Sequence, residues 1–534
     1  MDDKIEEGYG LNPPSGDANV LATMGYKPEL KRNYSMIQVF GIAFSIMGLF
    51  PSISSSLVYS MPSGPAGMVW GWFVASFCIM MVGLSMAELG SSLPTSGGLY
   101  WWTYHFATPK LKRPLCFLVG YSNTLGLTAG IVSIDYGFAQ LVLAVAGVAT
   151  DGEYVATKYT VYGVFAACII SHAIVASLAS DGMSKLQTGC IVLNIAIILI
   201  AIIALPVGAR HNLHDGAYIF GKLENLTTWP TGWTFFLGWL APIWTIGSFD
   251  SCVHMAEEAS NATKAVPFGI VSSIGMCWVL GFVINIVLAC VMSPDTERIL
   301  STPFQQPMAQ LIYDCLGKKW TLALMVIIFV LQWTMGLSIV VAASRQSWAF
   351  ARDGALPFSN FFKVVNTRVS IPVRAVWGNC TLGLVIGCLC MIDAAAAAAL
   401  FSLAAASNDL AWMTPIACRL IWGYKNFVPG PFYLGSVMSK LVSAFSVLYL
   451  CFAICLLMFP LEGPHPDKDN MNYTCVINVA VWAGSLIYYF GWAHKWFEGP
   501  QSNLEIEGME IEGVPQLTKM DQMDQMEPND KSVE

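Results

Sequence analysis

Apolar residues in this chain are gathered into long runs separated by short polar links. Leu186 to Val207 contains no charged residue in 22 positions, and Phe268 to Ser293 none in 26. About 20 apolar residues cross the hydrocarbon core of a bilayer as a helix. Lipid offers no partner to a backbone amide or carbonyl, so only helices or closed barrels span it, and runs this long exclude a barrel. Twelve runs are predicted to span, at residues 37–60, 66–90, 115–149, 159–180, 186–207, 233–254, 268–292, 320–350, 372–392, 395–422, 437–459 and 473–493. The third and eighth are long enough to tilt strongly or to project from the bilayer. The pattern predicts an all-α integral membrane protein of about twelve transmembrane helices.

Composition agrees: 55% of residues are hydrophobic and only 12% charged, against about 25% charged in a soluble domain. No cleavable signal peptide is read before the first run. Three regions are expected: a disordered polar N-terminal tail over 1–35, a transmembrane transporter domain over 36–497, and a disordered acidic tail over 498–534. The acidic tail holds ten acidic and two basic residues, which accounts for the whole net charge of −8. With both termini on one side, 20 of the 27 Lys and Arg residues fall on that side. The positive-inside rule then makes both termini cytosolic, and an odd number of spans would destroy the partition. Five glycosylation sequons occur. Asn225 and Asn472 fall in predicted external loops, whereas Asn33 and Asn261 are cytosolic and Asn379 lies within a span. The cysteines read mostly as buried apolar residues, although Cys315 and Cys475 fall near external loops and are able to pair.

Two runs are interrupted at their centres. The first contains Ser45-Ile46-Met47-Gly48-Leu49 followed by Pro51; the sixth contains Thr245-Ile246-Gly247-Ser248 and then Asp250, after Pro242. Proline removes a donor and clashes with the preceding turn, and freed backbone groups in a bilayer need a cavity or a ligand. Paired broken helices five spans apart mark transporters built from inverted five-helix repeats. In these, half-helix amides meet a carboxylate and unwound carbonyls meet a cation. A pair of plain kinks is the competing reading. Asp135, Asp250 and Asp409 are intramembrane carboxylates. Asp135 has no cation within a helical turn and reads as a counter-charge or proton carrier, with a structural hydrogen bond as the alternative. Asp250 either caps the resumed half-helix or meets solute, and Asp409 is a second proton-coupling candidate. Glu88 reads as a structural or gating ion-pair partner. His254, Glu257 and Glu258 read as a solvated face, and Trp333 and Trp412 as candidate cavity walls. No metal site, cofactor motif, nucleotide-binding loop or nucleic-acid signature is read, and no intramembrane His–Asp arrangement that would suggest an enzyme.

Ala87-Glu88-Leu89 with Pro94 to Tyr100, Gly247 to Asp250, Ala256-Glu257-Glu258 with Val266 to Ile270, and Ser344 to Pro357 resemble four segments of the amino acid–polyamine–organocation superfamily. Over residues 25–500 the chain is most similar to fungal γ-aminobutyrate (GABA) permeases of the amino acid/choline subfamily, as in Gln38 to Leu49, Ser133 to Gly137, Trp244 to His254 and Pro429 to Gly435. The resemblance implies a LeuT-like 5+5 inverted repeat plus two C-terminal helices. It also implies proton-coupled uptake of GABA, with putrescine, choline, thiamine or another organocation as alternatives. The implied partners are thus a small amine-bearing solute (GABA, polyamine or organocation), protons and membrane lipid. A non-transporting nutrient sensor is the alternative of another class. Plasma membrane and vacuolar membrane both suit such a permease. Three departures stand out. Gly48-Leu49-Phe50 replaces a Gly-Ser-Gly-like loop, Asn194 stands where proton-coupled bacterial relatives carry a lysine, and Asp409 stands where GABA permeases tend to have asparagine.

Overall fold

The computed structural model describes residues 16–178, 182–366, 368–392, 394–467 and 471–502. It divides into two units. One comprises residues 1–28 with 502–534; its described part contains the helix Gly16–Thr23, and the Ser502 hydroxyl donates to the Gly25 carbonyl at 2.8 Å. Of the tails expected to be disordered, 1–35 and 498–534, residues 1–15 and 503–534 lie outside the described residues. The other unit, residues 29–501, is helical wherever the sequence is apolar, and among the described residues backbone pairing beyond helices and turns is confined to isolated bridges.

The helices that matter for the site are α1 (Met36–Met47), α2 (Leu49–Ser60), α3 (Gly64–Ser92), α4 (Gly98–Phe106), α5 (Lys112–Ala149), α6 (Lys158–Leu178), α7 (Met183–Gly208), α8 (Thr231–Leu237), α9 (Leu240–Thr245), α10 (Ser251–His254), α11 (Ala262–Val291), α12 (Pro307–Arg352), α13 (Val373–Gly387), α14 (Ala394–Cys418), α15 (Ser436–Leu456) and α16 (Thr474–Gly491). Nine stretches among the described residues are long and apolar enough to cross a membrane. They cover ten of the twelve expected runs, because Met36–Ser92 takes in the first two. The sixth run misses the length criterion because it is divided among α8, α9 and α10. The tenth, α14, also lies outside the nine. The count of twelve therefore stays an expectation. The eighth run is longer than expected for a reason visible in the backbone: α12 joins two helices across a kink at Gly317, which holds φ 73°, ψ 171°.

Local chemistry explains the boundaries. The Gln38 side chain accepts from the Ser35 amide at 2.9 Å and so satisfies a donor at the start of α1. Gly48, at φ 38° and ψ 63°, ends α1 and starts α2 in the left-handed region that glycine enters without the usual steric cost. Pro51 is tolerated because it falls in the first turn of α2, where the Ser52 hydroxyl takes the Met47 carbonyl in place of its missing N–H. Serines that would otherwise be orphaned in lipid bond backward within α2: Ser54 donates to Phe50 O at 2.7 Å and Ser56 to Ser52 O at 2.8 Å. Helix α5 packs against α12 and α14, and α3 packs against α11. Close approach on α5 depends on small residues, since a Cβ at Gly126 would collide with Asn408 and one at Gly130 with Ile339.

Candidate functional site

The two broken helices meet. Helix α9 packs on α2, and α12 packs on both α1 and α2. Between them lies a small cavity of about 20 Å³, walled by Ile46, Ser52, Thr245, Gly247, Ser248 and Met335, and completed by residues of α5 and α14 that include Gly130, Asn408 and Trp412. At the first break the Gly48 amide still bonds to Phe44 O at 3.0 Å, and the Ser52 hydroxyl takes the freed Met47 carbonyl at 2.6 Å. Met335 packs against Gly48, where an added Cβ would strike its side chain. At the second break Ser248 holds φ 57°, a conformation that costs a non-glycine residue about 1–3 kcal/mol and that clusters at functional sites. The Thr245 hydroxyl is buried with no hydrogen-bond partner among the described residues. Such an atom inside a cavity wall is free to meet a solute.

The remaining sequence-predicted site residues are placed as follows. Ile46, Thr245, Gly247 and Ser248 line the cavity. Ser45 bonds instead to Ser338 of α12 at 3.1 Å, which in turn meets Gln187 of α7 at 3.0 Å. The Met47 sulfur lies 3.5 Å from Cys277, and Leu49 and Ile246 are fully buried. The Asp250 side chain does not cap α10; it accepts from Asn123 of α5 at 2.9 Å. That amide also reaches Asn408 at 3.3 Å. Asp409 is buried beside Asn408, with Oδ2 unpartnered among the described residues. Asp135 sits one position past the cavity-lining Ile134 and meets His172 of α6, Nδ1 to Oδ2, at 3.1 Å. Trp412 lines the cavity and stacks on Phe249 with centroids 4.4 Å apart. Trp333 does not line it and packs on His172 instead. The Asn194 side-chain amide donates to Cys190 O within its own helix at 2.9 Å. Asn225 is exposed-loop chemistry, bonded to Trp229 O at 2.6 Å, and the Asn472 amide is bonded to Leu457 O at 2.8 Å.

On one side of the cavity lies a larger vestibule of about 400 Å³ lined by Tyr59, Tyr136, Gln140, Phe401 and residues of the segment 456–472. Phe401 is the partition: its ring packs 4.7 Å from Trp244 of the cavity and 5.4 Å from Tyr59 of the vestibule. The other side is sealed by buried ion pairs. Arg345 Nε meets Glu258 at 2.7 Å, Arg352 meets Glu257 at 3.1 Å, and Arg419 meets Glu88 at 2.7 Å. Glu257 also accepts from the Ser96 amide at 3.1 Å, and Tyr100 donates to Asp353 at 2.7 Å. Just outside the bilayer segment, burial first and the Glu258 charge second push the Tyr34 hydroxyl well above its ordinary range.

Four expectations need correction. His254, Glu257 and Glu258 are buried rather than solvated, because α12 supplies two arginines from about 90 residues away in sequence. Intramembrane His–Asp pairs do exist, at Asp135–His172 and Asp250–His254. Trp333 lies away from the cavity. Cys315 and Cys475 are both free thiols. Among the described residues, Asp135, Cys168 and His172 bring three metal-type ligand atoms within 4.8 Å of one another. The site is otherwise built of hydroxyls, amides, broken-helix backbone and aromatic rings, which suits an organic solute.

Two helices broken at matching positions around a small cavity, with a vestibule on one side and an ion-pair seal on the other, define a helical membrane transporter. The family model described as amino acid permease matches residues 34–481. The GABA-specific permease of Saccharomyces cerevisiae is 48% identical over 492 residues, covering 91% of this chain and 86% of its own length. Amino-acid permease 2 of Neurospora crassa is 30% identical, covering 91% and 89%. Among solved structures, a manganese transporter of Eremococcus coleocola superposes with a TM-score of 0.53 at 13% identity, covering 91% of this chain and 97% of that one, a likeness of fold alone. The chain belongs to the amino acid permease family.

Proposed function

We propose that this permease imports GABA together with protons, with related ω-amino compounds such as putrescine as secondary solutes. The observation that carries the reading is the cavity between two broken helices in a chain 48% identical to a GABA-specific permease. The solute carboxylate would meet the first amides of α2 beyond Gly48, where Met335 now packs. Its ammonium would meet the carbonyls of the Thr245–Gly247 break and the Asn408 side chain. A cavity of about 20 Å³ holds little more than one water, so GABA enters only when Phe401, Trp244 and Tyr59 part. The vestibule then faces the solute source and the ion-pair seal faces the cytosol, in keeping with the Lys and Arg bias that makes both termini cytosolic. Rocking of the two repeats about the cavity would open the sides in turn.

Asp135 and Asp409 are the intramembrane carboxylates the sequence offers for the proton. Asp409, adjacent to cavity-lining Asn408, also favours a second reading in which the solute is a polyamine or another organocation, choline and thiamine included. Both the plasma and vacuolar membranes suit the import role. Purified protein in proteoliposomes, offered radiolabelled GABA, putrescine, choline, thiamine and basic amino acids, tests the proposal. Saturable GABA uptake that the others compete for weakly supports it. Uptake of a cation without GABA supports the second reading, and GABA binding without any uptake supports a sensor.

A further inference from the structure

His254 is fully buried at the end of α10. Its Nδ1 lies 3.1 Å from the Ser96 carbonyl oxygen, and its Nε2 lies 3.4 Å from Asp250 Oδ2, one turn back. A carbonyl oxygen and a carboxylate only accept hydrogen bonds. With the single proton of a neutral imidazole on Nδ1, Nε2 is buried with no hydrogen-bond partner among the described residues; with it on Nε2, Nδ1 sets its lone pair against the Ser96 carbonyl. One further proton resolves both contacts, as an imidazolium beside a carboxylate or as a carboxylic acid donating to Nε2. The second buried pair behaves differently. His172 Nδ1 faces Asp135 at 3.1 Å, while its Nε2 faces the Cys168 sulfur at 3.8 Å, a thiol able to donate. His172 therefore has beside it a group able to donate, which His254 Nε2 lacks among the described residues.

The Asp250–His254 pair also occupies a connecting position. Asp250 Oδ2 accepts from Asn123, whose amide reaches Asn408 in the cavity wall. Within eight residues of Asp250 on the same short segment, Glu257 and Glu258 form the ion-pair seal with Arg352 and Arg345. The titratable and charged groups around the pair are Cys252, Glu257 and Glu258 on its own segment, Arg345 and Arg352 on α12 with Asp353 just past its end, Tyr100 on α4, Cys277 on α11, and Asp409 beside Asn408 on α14. Helix α1 carries none, and Lys264 of α11 is exposed.

We propose that Asp250 and His254 together bind one proton in each transport cycle, and that this proton links cavity occupancy to the Glu257–Glu258 seal. The inference rests on the proton-coupled reading above. A hydrated proton arriving by the cavity forms an N–H bond at Nε2 and leaves its water behind, and the contact to Oδ2 tightens into a charge-assisted hydrogen bond. When the seal opens, that N–H bond breaks to water on the far side, so one proton moves with the solute and nothing is oxidised or reduced.

The test uses proteoliposomes with an acidic exterior and two variants. For one-proton symport each pH unit is worth up to about tenfold accumulation. His254→Gln should lose that gain and flatten the pH profile of GABA uptake, while exchange of internal for external GABA persists. Calorimetry of wild type in buffers of different ionisation enthalpy should show a proton taken up with GABA, and the variant should not. Should His254→Gln fail to fold, Asp250→Asn carries the test. Its side-chain oxygen keeps the bond accepted from Asn123 and the neutral amide takes up no proton, so the variant should fold and yet not respond to the gradient. A folded variant of either kind that accumulates GABA with the wild-type gradient response overturns the proposal. Wild type that ignores the gradient overturns the proton-coupled reading itself.

Discussion

Removing Glu258 should loosen the sealed side of the cavity more than removing any surface charge. Arg345 is 4% exposed and its Nε meets Glu258 at 2.7 Å. A guanidinium stays charged at any working pH. In Glu258→Met it would be left in a nearly dry site with the Ser344 hydroxyl, at 3.1 Å, as a neutral partner among the described residues. Breaking one side of a buried pair costs about 3–5 kcal/mol, whereas replacing both sides by apolar residues is often neutral or stabilising. Because the pair must part for the seal to open, about 3 kcal/mol shifts the balance toward the open seal by roughly two orders of magnitude. Two readouts follow: thermal unfolding by tryptophan fluorescence, and maleimide labelling of Cys252, which is fully buried behind the seal, resolved by mass spectrometry. Glu258→Met and Arg345→Met should each lower the melting temperature and expose Cys252. The double variant should recover most of both, giving a coupling energy on the order of 5 kcal/mol or more. Single variants that label and melt like wild type, or a double variant whose loss is the plain sum, would refute the reasoning.

Further outcomes are expected elsewhere. Gly48→Ala must hold a left-handed conformation, at about 1–2 kcal/mol, and its Cβ strikes Met335; GABA uptake normalised to protein in the membrane should fall sharply, and Met335→Ala should restore part of it. Gly336→Ala drives a Cβ into Asp135 Oδ1 and the His172 ring, an overpacking worth about 1–3 kcal/mol, whereas Gly383→Ala meets Ile169 and Val132 at ordinary contact distances of 3.5 and 3.6 Å and should leave the melting temperature unchanged or slightly raised. Phe401→Ala removes the ring between cavity and vestibule, so GABA exchange should speed up while KM rises; an unchanged exchange rate would show that the ring is no barrier.

Legibility in the sequence followed the range of the interaction. The breaks at Gly48 and at Gly247–Ser248 were visible because glycine, proline and serine interrupt otherwise unbroken apolar runs, and they do face one cavity. Glu88 was readable as an ion-pair partner because a carboxylate at a span end needs one, though nothing local pointed to Arg419. His254, Glu257 and Glu258 misled because their neighbours in sequence are polar. Their burial comes from Arg345, 87 positions from Glu258, and from Arg352. Asp135 looked isolated because a helical turn was searched for a cation, whereas His172 approaches from a neighbouring helix 37 positions on. Asn123 and Asn408, which tie the cavity to Asp250, carried no signal of their own: a lone asparagine in an apolar run does not reveal which helix it faces. The sixth run forms α8 to α10 instead of one long helix for the same reason that the site exists there, since the unwound backbone that lines a cavity is also what shortens the helix.

The most direct measurement is radiolabelled GABA uptake into proteoliposomes with the exterior made acidic, set against identical vesicles without a gradient. The account predicts transient accumulation above the equilibrium level only when the gradient is imposed, collapsing when a protonophore is added. Equal uptake in the two sets of vesicles, or none in either, would contradict it.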